Sequence, residues 1–372
     1  MKAKVAVIPC KSYEPLLVQQ AVRKAVDTLG GISAFIRPGS RVLVKPNLLM
    51  AVVPEKAVTT HPEVVRGVIK ILKEINCSIK VGDSPSAWGK QIENVGQVYS
   101  VTGIKKVCEE EGVSLVEFDK RRWIEKFPLA AILDECDHVV NVPKFKTHGL
   151  TILTGAIKNL FGFIPGTFKT ELHKKFFDRD DFCRMLVDIL QQVLPELSIV
   201  DGVTAMEGDG PAPAGKVREQ NLLVAGADPV AVDSVLAMIM GLEPEDILPT
   251  KVAAKRGLGV SDRNSIEIIG AALKDVCGKP FILPAASIQR KLPRPVIRLA
   301  SKLIKYYPCV ERDNCVSCAA CIRACPQKVI SMHKGKPRVD YSKCIACFCC
   351  QEVCPQAAIK IKKNLFARLA GL

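Results

Sequence analysis

The chain has 372 residues, is 48% hydrophobic and carries a formal net charge of +15. That length buries a sizeable core and suggests two or three domains, and no apolar run approaches the roughly 18 residues of a membrane-spanning helix. Its 16 cysteines are uneven, with ten between Cys309 and Cys354, which argues against a short secreted disulfide framework.

In chain order, KVAVIP (4–9) reads as a first strand. Its apolar run is too short for a secretory signal, so a cytoplasmic location is expected. EPLLVQQAVRKAVDTLGG (14–31) has helical spacing and a glycine stop. RVLVKPN (41–47) is a second strand, and HPEVVRGVIKILKEIN (61–76) an amphipathic helix with proline near its start. Strands are predicted at 78–85, 113–118, 137–144, 197–203, 221–227 and 265–271, with helices at 180–194 and 228–241. Short buried strands separated by helices predict an α/β domain with a largely parallel sheet, over residues 1–275. A proline-rich linker and basic helix follow (276–308), then a small α+β cysteine module (309–360) and a basic tail (361–372).

Nucleic acid is the first partner such a charge suggests. Against it, acids interleave with the basic residues, aromatics are only 5%, and no nucleic-acid motif is present. The densest basic stretches, 290–307 with Arg298, Lys302 and Lys305, and 360–372, suit an acidic redox partner, peripheral membrane contact, or a solvated helix face.

The cysteine module is a duplication. CVSCAACIRACP (315–326) returns as CIACFCCQEVCP (344–355), 29 residues later. Each half is C-x2-C-x2-C-x3-C-P, the two-cluster ferredoxin run whose fourth cysteine ligates the other cluster. Two 4Fe–4S clusters are expected. One takes Cys315, Cys318, Cys321 and Cys354; the other takes Cys344, Cys347, Cys350 and Cys325. Zinc fits less well, because structural zinc uses separated cysteine pairs. Cys309 and Cys349 are spare thiols, and the six scattered N-terminal cysteines read as buried small hydrophobes.

Polar islands fall where the large domain's strands end: KPN (45–47), GDSP (82–85), NVPKFKTHG (141–149), GAIKNLFG (155–162), DGVTAMEGDGPAPAG (201–215) and ADPVAVD (227–233). In open parallel sheets, ligands bind at that edge. Lys45, Lys144, Lys146 and Lys158 are candidates to hold an anion, and Lys144 and Lys146, with His148 and Asp83, are the candidate catalytic residues, the ligand site being completed by Asn47, Asn159, Asp201, Glu207 and Asp209. His148, Asp83, Asp201, Glu207 and Asp209 are candidates for acid–base work or a metal. Lys45, Asn47, Lys144, Lys146, His148, Lys158 and Asn159 are expected to converge. Taken singly, GDSP and DGPAPAG are also ordinary turns, and Asp228 before Pro229 is an ordinary helix cap. No phosphate-loop, dinucleotide, zinc-protease or nucleophile-elbow fingerprint occurs.

These islands, in this order and followed by the cysteine duplication, resemble the domain of unknown function 362 family of iron–sulfur proteins, over about residues 40–360. The resemblance implies a fold neighbourhood and cluster content, not a reaction. Three readings follow. The first is an iron–sulfur oxidoreductase whose large domain binds an anionic small molecule or a metal centre. The second is a ferredoxin-like carrier with a docking domain for a redox partner, and the third a metal- or cofactor-maturation protein.

Overall fold

A computed structural model describes residues 2–85, 94–285 and 306–364. Strands β1 (Ala3–Pro9), β2 (Arg41–Pro46), β3 (Ser78–Asp83) and β4 (Ser114–Glu117) are short apolar runs. A small hairpin follows, β5 (Arg121–Ile124) with β6 (Phe127–Ala130). Then come β7 (His138–Val142), β8 (Lys144–His148), β9 (Ile152–Thr154), β10 (Leu197–Gly208), β11 (Gly215–Gly226) and β12 (Ile266–Gly270). Apart from the hairpin these form one ten-stranded sheet in the order β12-β1-β11-β10-β7-β2-β3-β4, with β8 and β9 branching from β10.

The sheet is largely parallel, as the alternation of strands and helices predicts. β1–β12, β10–β7, β10–β8, β2–β7, β2–β3 and β3–β4 pair parallel; β1–β11, β10–β11 and β8–β9 pair antiparallel. Successive strand side chains point to opposite faces, and here both faces are covered. Val42 and Val44 pack with the helices Pro15–Thr28 and Pro62–Lys73, while Leu43 packs with Arg179–Gln192. Val5 and Val7 pack with Pro229–Ile239, whereas Ala6 and Ile8 join the first cluster. Burial on both faces is why these strands read as continuous apolar runs rather than alternating ones.

Two expected strand ends differ. The run 137–144 is broken at Pro143, which has no N–H to give the ladder; a separate strand carries Lys144, Lys146 and His148. The island 201–215 is half strand. β10 runs on to Gly208 because β11 turns back antiparallel along it, and the prolines fall in the connection.

In the C-terminal module, β13 (Tyr306–Val310) pairs with β16 (Ile359–Lys363), and β14 (Ile330–His333) with β15 (Lys336–Val339), all antiparallel. Two short helices, Ala320–Ala324 and Cys349–Glu352, pack together over a core that includes the cysteines. Of the basic helix expected at about 295–306, Tyr306 opens β13 instead, and the rest, with Arg298, Lys302 and Lys305, lies outside the described residues; of the tail expected at 361–372, the first three residues close β16, paired with β13, and those beyond 364 lie outside.

Candidate functional site

The duplication in the sequence is a duplication of backbone. Ser317 and Ala319 have positive φ of 59°, and Ala346 and Phe348, 29 residues later, have 51° and 59°. Lys328 and Ala357 repeat the match at 54° and 49°. Left-handed geometry at non-glycine residues is sparsely populated and persists where surroundings impose it. Here it winds each C-x2-C-x2-C run around a hollow. One hollow is lined by Cys315, Cys318, Cys321 and Cys354, with Val310, Ala320 and Ile359 among its apolar walls. The other is lined by Cys325, Cys344, Cys347 and Cys350, with Ile330, Val339 and Phe348. Four thiols around an apolar hollow, one thiol crossing from the other run, is a donor set suited to an iron–sulfur cluster. Cys349 is fully buried beside the second hollow, and Cys309 is half-buried in β13.

The sheet's carboxyl edge builds a second site. Lys45, in β2, is fully buried and pairs with Asp83 at the end of β3 at 2.8 Å. Asp83 also accepts from Leu48 N and Ser84 N, both at 2.8 Å. Burial lowers the Lys45 pKa, and the Asp83 carboxylate opposes that. Gly162 in GAIKNLFG is needed for this pair, since a Cβ there would overlap both Asp83 and the Lys45 ammonium. Gly155 likewise makes room for Asp233 of ADPVAVD, which accepts from Ala156 N and Ile157 N at 2.6 and 3.1 Å. The sequence islands therefore lock into one another.

Beside the Lys45–Asp83 pair lies a cavity of about 60 Å³. Asn47, Asp83, Lys146, Lys158, Asn159 and Glu352 line it, together with Ser84, Lys169 and His173. Lys146 is buried, donates to Val58 O, and has its pKa held well below the usual lysine range by burial. Lys169 donates to Ser84 O. Lys158 is only partly buried, and among the described residues no hydrogen bond or ion pair engages its ammonium. Burial lowers its pKa, with Glu352 as the main opposing charge.

Glu352 comes from the cysteine module. It sits in the helix Cys349–Glu352, two residues from Cys350 and two from Cys354. Its Oε1 lies 3.3 Å from His148 Nε2, although that nitrogen is not aligned for a hydrogen bond. Burial alone would raise the Glu352 carboxyl; its contact with His148 and the charge of Lys158 outweigh that and hold it down to about 2. Burial pushes His148 down to about 3, so its ring is neutral. His148 Nδ1 accepts from Leu150 N at 3.1 Å, which puts the ring proton on Nε2, facing the carboxylate. The neighbouring Gln351 donates from Nε2 to Asp209 O at 3.1 Å.

Of the residues expected to converge, Lys45, Asn47, Lys146, Lys158 and Asn159 do so, and His148 reaches the same place through Glu352. Lys144 does not line this cavity. It is fully buried against Asp201 at 2.8 Å and donates to Tyr13 Oη at 2.8 Å. Tyr13 Oη donates to Asp201 at 2.7 Å and its ring stacks on His61 at 3.6 Å. The register of β8 on β10 jumps from Lys144↔Asp201 to Lys146↔Met206, so the two lysines part despite their spacing of two. Glu207 pairs with Arg218 at 2.9 Å, and Asp209 accepts from Ala285 N at 2.8 Å. Both tie the hairpin to the chain that follows the sheet. Glu352, Lys169 and His173 went unread in the sequence. Lys169 and His173 stand four apart on one helix face, a legible signal; Glu352 gave none.

A parallel α/β domain with a lysine-lined cavity, joined to a duplicated four-cysteine module, defines an iron–sulfur protein. The chain belongs to the family described as Domain of unknown function (DUF362), matched over residues 42–238. A 4Fe-4S dicluster domain is matched over residues 307–355. The thylakoid-associated protein sll1697 of Synechocystis sp. is 35% identical over 263 residues, covering 69% of this chain and 80% of that protein. The lactate racemase apoprotein from Thermoanaerobacterium thermosaccharolyticum is similar with a TM-score of 0.41 at 10% identity. That match covers 65% of this chain and 58% of the racemase chain. Among the described residues, no helix is long and apolar enough to cross a membrane.

Proposed function

We propose that this is an iron–sulfur electron-transfer protein in which two 4Fe–4S clusters exchange electrons with a small anion held in the lysine cavity. Cys315, Cys318, Cys321 and Cys354 would hold one cluster, and Cys344, Cys347, Cys350 and Cys325 the other. When bound, such clusters supply single electrons at potentials tuned by charge and hydrogen bonding around them. The observation that carries the reading is Glu352. It lines the anion cavity and stands two residues from a thiol of each hollow. Two residues span at most about 7 Å of chain. The protein's own part is to place and charge the ligand. Lys158 presents its charge to the cavity and Lys146 lines it as a hydrogen-bond donor, Lys45 is kept in place by Asp83, and neutral His148 holds Glu352.

A metal centre in the large domain is less favoured by the same geometry. Its carboxylates are committed, Asp83 to Lys45 and Asp201 to Lys144.

A redox partner enters the reading at the other end of the module. Cys318 is exposed, and beside its hollow runs a groove with Arg312, His333, Lys336 and Arg338. An acidic protein surface suits that groove. We place the protein in the cytoplasm within reach of a membrane face; the description of the Synechocystis relative as thylakoid-associated supports the second half.

The test is anaerobic potentiometry on purified protein, followed by electron paramagnetic resonance. Adding an anion that fills the cavity should shift a cluster potential or spectrum, and Lys158→Met should abolish the shift without changing iron content. Clusters that assemble fully and ignore every small anion offered would leave the carrier reading in its place.

A further inference from the structure

The amide side chains around the cavity form a chain whose direction can be deduced. Asn141 Nδ2 donates to the backbone carbonyl of Ala156 at 3.0 Å, so its oxygen must face the other way, toward Asn159. Asn159 Nδ2 donates to that oxygen at 2.8 Å, and the carbonyls of Lys45 and Pro46 lie at 3.4 and 3.5 Å from the same nitrogen. Asn159 Oδ1 therefore faces Asn47, whose Nδ2 donates to it at 2.9 Å. Each amide fixes the next, and the sequence of constraints ends on Asn47 Oδ1. That oxygen is buried, and among the described residues no donor reaches it. Asn47 itself is pinned, its backbone N donating to Thr60 Oγ1 at 2.8 Å and its carbonyl accepting from Thr60 N at 2.9 Å.

A buried acceptor without a donor is costly, and this one belongs to a residue lining the same cavity as Lys146 and Lys158. The cavity, about 60 Å³, admits only a group the size of a few waters. A ligand that satisfies it must be small, present negative oxygens to the lysines, and bring a hydrogen-bond donor for Asn47.

We propose that the ligand is a small oxyanion that carries its own O–H and donates it to Asn47 Oδ1; this rests on the anion-site reading above. A phosphate-type anion and a small hydroxy-carboxylate share that chemistry, and of the two only the hydroxy-carboxylate, at its carbinol carbon, can also exchange electrons with the clusters. An oxyanion with no proton places an oxygen lone pair against Asn47 Oδ1 and is rejected, as sites built to pair a hydroxyl reject analogues without it.

The experiment is anaerobic calorimetry on the cluster-loaded protein, above the second pKa of phosphate. Hydrogen phosphate and sulfate are then matched in charge and shape and differ in the O–H; glycolate and acetate differ in the same way among carboxylates. In at least one pair the O–H member should bind at least about tenfold tighter, a difference of about 1.4 kcal/mol, and the pair that shows it identifies the source. Asn47→Ala should remove the preference while leaving binding that depends on Lys158. Equal affinities within both pairs overturn this inference and leave the anion site standing. No binding by any of the four, with Lys158→Met indistinguishable from wild type, overturns both. The wild-type comparison decides the matter even where Asn47→Ala fails to fold.

Discussion

Lys158→Met keeps the length of the side chain and deletes its charge. In the native protein the Lys158 ammonium has no hydrogen-bond partner among the described residues, so a ligand is free to take it. A charge-assisted hydrogen bond contributes about 1.5–3 kcal/mol, and tenfold in affinity is about 1.4 kcal/mol. The variant should therefore bind hydrogen phosphate roughly ten- to a hundredfold more weakly. Some stability should also be lost, because Lys158 is the cation that offsets burial of Glu352, so the affinity is compared on variant protein that is folded and iron-replete. Burial has already lowered the Lys158 pKa, so wild-type binding should fall away at a lower pH than an ordinary lysine would give, and the variant should lack that limb. Anaerobic calorimetry across pH, with iron quantified on the same samples, measures all three. A variant that is folded, iron-replete and binds hydrogen phosphate as tightly as the wild type would refute the reasoning.

Lys144→Met should behave in the opposite way: loss of stability of about 3–5 kcal/mol, because Asp201 is left buried without its cation, read as a shift in anaerobic urea unfolding. Cys354→Ser should damage the cluster held mainly by Cys315, Cys318 and Cys321, and Cys325→Ser the other, as resolved by paramagnetic resonance; loss of the opposite cluster in either variant refutes the crossed ligation. The pKa values of His61, His148 and His173 are pushed by burial from 6.5 to about 4, 3 and 4. Groups depressed in this way contribute stability that is present above pH 6.5 and lost as pH falls toward 4. The denaturation midpoint should fall over that window, and His173→Gln should flatten the slope.

Much of this architecture is legible from residue order, for physical reasons. Strands such as VLVKP and VAVIP are apolar on both faces because helices cover both, and that makes them conspicuous. The cysteine spacing reports its own geometry, and the 29-residue offset recurs in the positive-φ positions. The legible part of the cavity lies at strand ends, Lys45, Asn47, Asp83 and Lys146, and in the GAIKNLFG island, Lys158 and Asn159. What was not legible depends on tertiary register. Lys144 and Lys146 share a strand face by spacing, yet a shift of β8 along β10 sends one to Asp201 and the other to the cavity. DGVTAMEGDGPAPAG has the composition of a loop, but the segment that follows it turns back as β11 and makes its first half a strand. Glu352 is the extreme case, since nothing near it in sequence calls for a buried anion.

Gln351 and Glu352 sit in a run of cysteines on a four-residue helix, where the ordinary expectation for such a pair is a solvated face. Instead they are 2% and 8% exposed. Burying a carboxylate is unfavourable unless cations and donors await it. They do: His148 and Lys158 from the large domain for Glu352, and the Asp209 carbonyl for Gln351. A buried charge contact of this kind is weak evidence for stability, because its desolvation cancels much of its attraction. Its consequence is alignment. A module docked one residue out of register would leave Glu352 unpaired and the lysine cavity without its carboxylate wall. The contact that orients the cysteine module thus brings to the cavity a residue that stands two positions from Cys350 of one hollow and two from Cys354 of the other.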